Sequence, residues 1–211
     1  MVFVEGGTFL MGDFGGKDGK SNFVYSISKD NKFTHNVTLD SFSISKSKVS
    51  WGEYLQWLDI KGKPLPDNYK KLKEQIDYIS MKKFTNDNYL ASVNWQDAKD
   101  YCQWIGLQSG LPVDLPTEAQ WEYAARSRGQ FLNYSSDNGK FGDFIDPSSE
   151  QYVPLNKRKP NPLGLYDMIG NGWDWTNDWY DENYYSVSPE KNPQGPQSGT
   201  TKVTRGSAGT N

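Results

Sequence analysis

The stretch Leu115-Pro116-Thr117-Glu118-Ala119-Gln120-Trp121-Glu122-Tyr123-Ala124-Ala125-Arg126 decides how this chain is read. Thr117 followed three residues later by Gln120 is a capping-box pair. The hydroxyl satisfies an orphan N–H of the first turn and the amide reaches back to the cap. The helix so opened carries Trp121, Ala124 and Ala125 and ends before Gly129. Upstream, a second helix begins after Asn94, with Asp97 three residues on. Ala98, Tyr101, Cys102 and Ile105 recur at i, i+3, i+4 and i+7, and Gly110 closes it. Further upstream, Ser50 and Glu53 form another capping box ahead of Trp51, Tyr54, Leu55 and Leu58 at helical spacing.

Strand and loop fill the rest. Val2 to Met11 reads as a strand broken or bulged at Gly6-Gly7, and alternation returns over 34–39 and again at Phe42-Ser43-Ile44. Residues 13–33 are Gly-, Ser-, Lys- and Asp-rich without a period, as in a long surface loop. Residues 60–90 read as a second insertion, opened by Pro64 and Pro66, with a charged surface helix over 69–76. Beyond Gly129 the chain is loop-rich up to the dense stretch Asn171-Gly172-Trp173-Asp174-Trp175. Few short helices among short strands and long loops predict one irregular α+β domain over 1–211.

The counts exclude several functions. The chain of 211 residues has one cysteine, Cys102, and one histidine, His35. Intrachain disulfides, CxxC redox chemistry, Cys-rich zinc sites and multi-imidazole sites are therefore outside its means. A net charge of −3 gives no electrostatic reason to expect a nucleic-acid partner. No run approaches the roughly 20 apolar residues of a membrane-spanning helix. The start, Met1 to Gly7, has neither the basic nor the apolar region of a signal peptide. The 8 Trp, 13 Tyr and 10 Phe either build a core for a polar chain or form an aromatic binding surface. Each large ring removes roughly 150–250 Å² from water.

Individual side chains are weighed the same way. Cys102 lies on an apolar helix stripe, where a thiol is buried rather than reactive. His35 sits in an alternating strand with no second imidazole, which gives it a structural or surface role. The run Lys70-Lys71-Leu72-Lys73 reads as a solvated helix face. Asp167 and Asp174 bracket two glycines, Gly170 and Gly172. That spacing fits a tight turn into a Trp-bearing strand, or a calcium loop in which glycines let carbonyls turn inward. Strand alternation puts Trp173 and Trp175 on one face and Asp174 on the other. Burial of the two rings would then present the carboxylate on the opposite side.

These motifs, in this order, resemble the formylglycine-generating enzyme (sulfatase-modifying factor) family. The match begins at Glu5-Gly6-Gly7-Thr8-Phe9-Leu10-Met11-Gly12 and continues through 37–46, 91–102 and 115–126. Pro160-Asn161-Pro162-Leu163-Gly164-Leu165-Tyr166-Asp167-Met168 and the run to Trp179 complete it. The resemblance implies a C-type-lectin-like fold with two main helices. It also implies one structural Ca²⁺ on Asp167, the carbonyls of Gly170 and Gly172, and Asp174, which stands where the family usually has Glu. Catalysis in the family uses a copper-binding cysteine pair after a segment like 202–208. Here Asn211 stands about where the first cysteine would fall, so no copper is expected. The histidine-rich iron enzymes related to the family are excluded by the single His35.

The expectation is therefore a non-catalytic ligand-binding domain. One branch of the family, the variable proteins of diversity-generating retroelements, binds ligands through the stretch following an Arg-Gly-Gly-Ser-Trp-like motif. Arg205-Gly206-Ser207-Ala208-Gly209 sits at that place. Arg205 and Asn211, with Trp179, Tyr180, Tyr184 and Tyr185 as aromatic anchors, are the candidate binding residues; packing under the last loops is the rings' other reading. By resemblance the partner is a protein or surface ligand and the location extracytoplasmic, with a lipid anchor open in the precursor. Two rivals remain: an oxidase of the same family whose cysteine pair follows Asn211 in a longer chain, and a structural lipoprotein component.

Overall fold

The computed structural model describes residues 1–13, 33–79, 86–132, 135 and 154–207. The expected 13–33 loop lies almost wholly outside these residues, as does Asn211. The chain is α+β, as the caps and alternation predict. β1 (Val2–Val4) pairs antiparallel with β4 (Phe42–Ile44), and β2 (Gly7–Met11) pairs antiparallel with β3 (His35–Leu39). β1 and β2 part at Glu5-Gly6, because the chain there grazes the β3–β4 turn. A Cβ on Gly6 would come 2.8 Å from the Asp40 carbonyl carbon.

Two capped helices follow as expected, with a third helix between them. α1 (Trp51–Lys61) has the full Ser50/Glu53 capping box and ends on Gly62 at φ 61°. α2 (Asp67–Ile79) follows, and after it α3 (Trp95–Ser109), which is capped by Asn94 and closed by Gly110 at φ 68°. Trp51, Tyr54, Trp57, Leu58, Tyr69, Tyr89 and Tyr101 form one aromatic cluster between these helices. Tyr69 is only 6% exposed, so the 60–90 stretch is more than a surface insertion: it contributes a ring to the core. Cys102 is half-buried on α3, and burial pushes its thiol up to about 11. It is a packing residue with little thiolate at neutral pH.

α4 (Glu118–Ala125) is the hub. Its Thr117/Gln120 capping box forms as the spacing predicts, and seven of its eight residues are buried. Ala119 and Tyr123 pack with Val4, Phe9, Val37 and Leu39 of the first three strands. Trp121, Ala124 and Ala125 pack with Leu165 and Met168. Asn161, 3% exposed, staples the helix end. Its amide donates to the Ala124 carbonyl at 2.9 Å, and its oxygen accepts from the backbone of Leu163 and Leu165. These bonds satisfy helix-end carbonyls that would otherwise be orphaned.

The last third contains β5 (Gly172–Trp179), the short α5 (Tyr184–Val187) and β6 (Lys202–Ser207). β5 and β6 pair antiparallel with a register shift between Trp175 and Trp179. One expectation fails here. Trp173 is 56% exposed, while Asp174, Thr176 and Asp178 turn inward. Thr176 is fully buried and Asp178 nearly so. The inner face of β5 is polar because it lies over α4, whose N–H and indole donors need acceptors. Glu118 N donates to Asp178 Oδ2 at 2.8 Å and Trp121 Nε1 donates to Asp174 Oδ2 at 3.1 Å.

Candidate functional site

A cleft of about 280 Å³ opens where β5, α5 and β6 meet the start of α4. Trp179, Tyr180, Tyr184, Tyr185 and Arg205 line it, as do Glu118, Asp181, Lys202, Val203 and Thr204. Five of the six side chains expected at a binding surface thus lie around one cavity; Asn211 is outside the described residues. They play different parts. Tyr180 is 44% exposed at the rim. Tyr185 is 7% exposed and belongs to the core cluster of β1–β3, so for this ring the packing reading holds.

The floor is a charge network built on α4. Glu118 and Glu122, one helical turn apart, share one helix face. Arg205 Nη1 lies 3.2 Å from Glu118 Oε1, and its Nη2 lies 2.7 Å from Glu122 Oε2. Arg126 Nη1 pairs with Glu122 Oε1 at 2.8 Å. Gly12 N and the Tyr185 hydroxyl complete it, donating to Glu122 Oε1 and Glu118 Oε1 at 3.0 Å each. The network joins β2, α4, α5 and β6. Burial pushes the Glu118 carboxyl up to about 7 against the pull of Arg205, and pushes Asp178 up to about 6. Cations and donors that face a buried carboxylate oppose that rise, and these residues supply both.

The wall beside Trp179 is a cation–ring stack. Trp95 and Trp179 stack at 28° to one another, with centroids 6.3 Å apart. Lys202 Nζ sits 3.6 Å from the Trp179 centroid and 4.1 Å from that of Trp95. It donates to the Asn177 carbonyl at 2.9 Å. Each such contact contributes roughly 0.5–1 kcal/mol where exposed and more when desolvated. The cleft therefore has a rigid floor and wall under an open aromatic rim. Glu118 and Lys202 were missed in the sequence. A signal for Glu118 existed: two glutamates at i and i+4 among Ala, Trp, Tyr and Ala leave that helix no solvent face.

The expected calcium loop lies on the far side of Trp121. Asp167, Gly170, Asn171 and Gly172 all have positive φ, between 53° and 92°, so the loop is tightly coiled. Three of the four expected ligand residues are already engaged. Lys48 Nζ donates to the Gly172 carbonyl at 2.8 Å and lies 3.1 Å from Asp174 Oδ1. Asp167 Oδ2 accepts from Asn156 N at 2.8 Å. Asp167 Oδ1 is buried with no hydrogen-bond partner among the described residues. Among those residues no group of three or more His, Cys, Asp or Glu could hold a metal. As arranged, the loop does not fit a divalent cation: an ammonium holds the carbonyl and carboxylate that the ion would need.

Comparison with known proteins agrees with this architecture. The chain is 31% identical to the serine/threonine-protein kinase pkn1 of Chlamydia caviae over 221 aligned residues. That alignment takes in 98% of the chain but spans 32% of the kinase's length. It is 33% identical to the formylglycine-generating enzyme of Streptomyces coelicolor over 135 residues, covering 54% of the chain and 40% of that enzyme. The structure of Treponema denticola variable protein 1 superposes with a TM-score of 0.66 at 22% identity, covering 99% of this chain and 84% of that one. The fold is thus C-type-lectin-like. The model of the sulfatase-modifying factor enzyme 1-like domain matches residues 1–211, and the chain belongs to that family.

Proposed function

We propose that these 211 residues form a non-catalytic ligand-binding domain whose recognition surface is the cleft between β5, α5 and β6. The observation that carries this reading is the convergence of Trp179, Tyr180, Tyr184, Lys202 and Arg205 on one cavity above a fully paired charge network. Aromatic side chains offer large contact area at low conformational cost, and loops on a rigid scaffold are suited to carry recognition. The superposition on a variable protein supports the scaffold's use for this purpose. The family's oxidative chemistry needs a pair of cysteines. The single thiol present, Cys102, lies on α3 and is raised to about 11 by burial, which leaves it unsuited to that role.

The decisive experiment offers the protein copper, oxygen and a Cys-containing sulfatase peptide. The peptide thiol is expected to persist, and its conversion to an aldehyde would establish the enzyme reading instead. In parallel, peptide and glycan arrays are probed with the chain and with Trp179→Ala/Tyr180→Ala. Binding lost in the double variant supports the cleft, whereas unchanged binding places recognition elsewhere. Surface display, by a lipid anchor or a partner, belongs to the same reading and rests on the family resemblance. Protease accessibility on intact cells tests it. The kinase likeness suggests that such a domain also serves as a module within larger chains.

A further inference from the structure

We propose that the Lys48 ammonium is a built-in cation of the 167–174 loop, standing in for a divalent metal and making the β5–β6 half of the molecule independent of calcium. This inference does not rest on the proposed ligand cleft. Lys48 has a side chain only 5% exposed, and its ammonium touches Gly172 O and Asp174 Oδ1. Gly172 and Asp174 begin β5. The remaining Asp174 oxygen accepts from Trp121 Nε1, so the carboxylate is held from both sides. A buried lysine needs such partners, since an unpaired buried ammonium costs several kcal/mol.

The segment that carries Lys48 is itself pinned to this loop and its flanks. Tyr166 N donates to the Lys46 carbonyl at 3.0 Å, and Ser47 Oγ donates to Asn156 Oδ1 at 2.8 Å. On its other side, Ala91 N donates to the Val49 carbonyl and Trp51 N to the Tyr89 carbonyl, each at 2.9 Å. The ammonium is thereby fixed by backbone bonds on both sides, not swung in from a mobile surface stem. A calcium ion binds oxygens at about 2.3–2.6 Å. Bound to Gly172 O and Asp174 Oδ1, it would compete for the same lone pairs as the ammonium and meet its like charge at close range. The two cations exclude each other. Arg158 adds to the effect: a Cβ on Gly170 would come 2.8 Å from its Nη1, so a second cationic side chain flanks the loop.

The test measures thermal unfolding of the whole chain in excess EGTA and in millimolar CaCl₂, with metal content by mass spectrometry. The midpoint is expected to be the same in both, without stoichiometric calcium. A midpoint raised by calcium or lowered by EGTA, or calcium retained through purification, overturns the proposal. Lys48→Met keeps the stem and removes the charge. It is expected to lower the midpoint by roughly 6–20 °C and to make it calcium-responsive, because the Gly172 carbonyl and Asp174 Oδ1 become open to an ion. A wild-type midpoint in Lys48→Met, or a lowered one that calcium does not raise, reduces Lys48 to an ordinary ion pair and refutes the stand-in role. Should Lys48→Met fail to fold, Lys48→Arg keeps the charge and is expected to stay folded and indifferent to EGTA. Calcium dependence in that variant would count against the proposal.

Discussion

The aromatic cluster between α1, α2 and α3 and the charged hub around α4 are both buried, yet they are held together differently. In the first, Trp51, Tyr54, Trp57 and Tyr101 pack ring against ring, with centroids 5.2–6.1 Å apart for the successive pairs. Such packing is non-directional and tolerates a change of shape. In the second, Glu118, Glu122, Arg126 and Arg205 are fixed by charged hydrogen bonds at 2.7–3.2 Å. Those bonds work only with every partner in place. The first region closes a local unit of neighbouring helices. The second ties residues from β2 to β6 into one point, and that point lies beneath the cleft.

The sharpest way to break this contrast is Glu122→Gln. The change is nearly isosteric, but it removes the charge that faces both Arg126 and Arg205. Leaving buried charge uncompensated costs roughly 3–5 kcal/mol, to be read from urea unfolding. A loss below about 1 kcal/mol would show that the hub is held by shape, like the aromatic cluster.

The next effect is a dependence on pH. Glu118 and Asp178 have folded-state values of about 7 and 6, above the ordinary 4.5 and 3.8. The folded state therefore binds protons more tightly than the unfolded one, and stability falls as pH rises through roughly 4 to 7. Their contribution is full below the unfolded values and lost above the folded ones. Denaturant midpoints across that window should decline, and Glu118→Gln should flatten the slope. A slope unchanged in that variant would remove Glu118 as its source.

The smallest effect is expected on the aromatic side. Trp57→Phe removes ring volume but also a buried indole N–H with no hydrogen-bond partner among the described residues, and should cost about 1–2 kcal/mol. It should leave the pH slope as it is. A larger loss, or a changed slope, would mean that the two regions are coupled.

The capped helices were legible because their signals are local. Ser50 with Glu53, Asn94 with Asp97, and Thr117 with Gln120 each satisfy orphan N–H groups within one turn, so a few adjacent residues suffice to place a helix start. The breaks at Gly6 and Gly110 were legible for a similar reason. The face of β5 was not. Alternation gave its period correctly, but which face is inward depends on what covers it, and α4 presents donors there. Asp174 was expected opposite buried rings, whereas it lies inward and Trp173 outward. Tyr69 escaped notice because a charged helix hides one inward ring.

The sequence by itself determined the family, the starts of the three capped helices and the count of one cysteine, since each is written in neighbouring residues or in a count. Tertiary structure alone decided that Arg205 pairs with Glu118 and Glu122, more than 80 residues away in the chain. It likewise decided that Lys48 meets Gly172 and Asp174 across a separation of 124 residues to Gly172. A cation's partner is set by which buried acceptor lies within about 3 Å, and no local pattern encodes that distance.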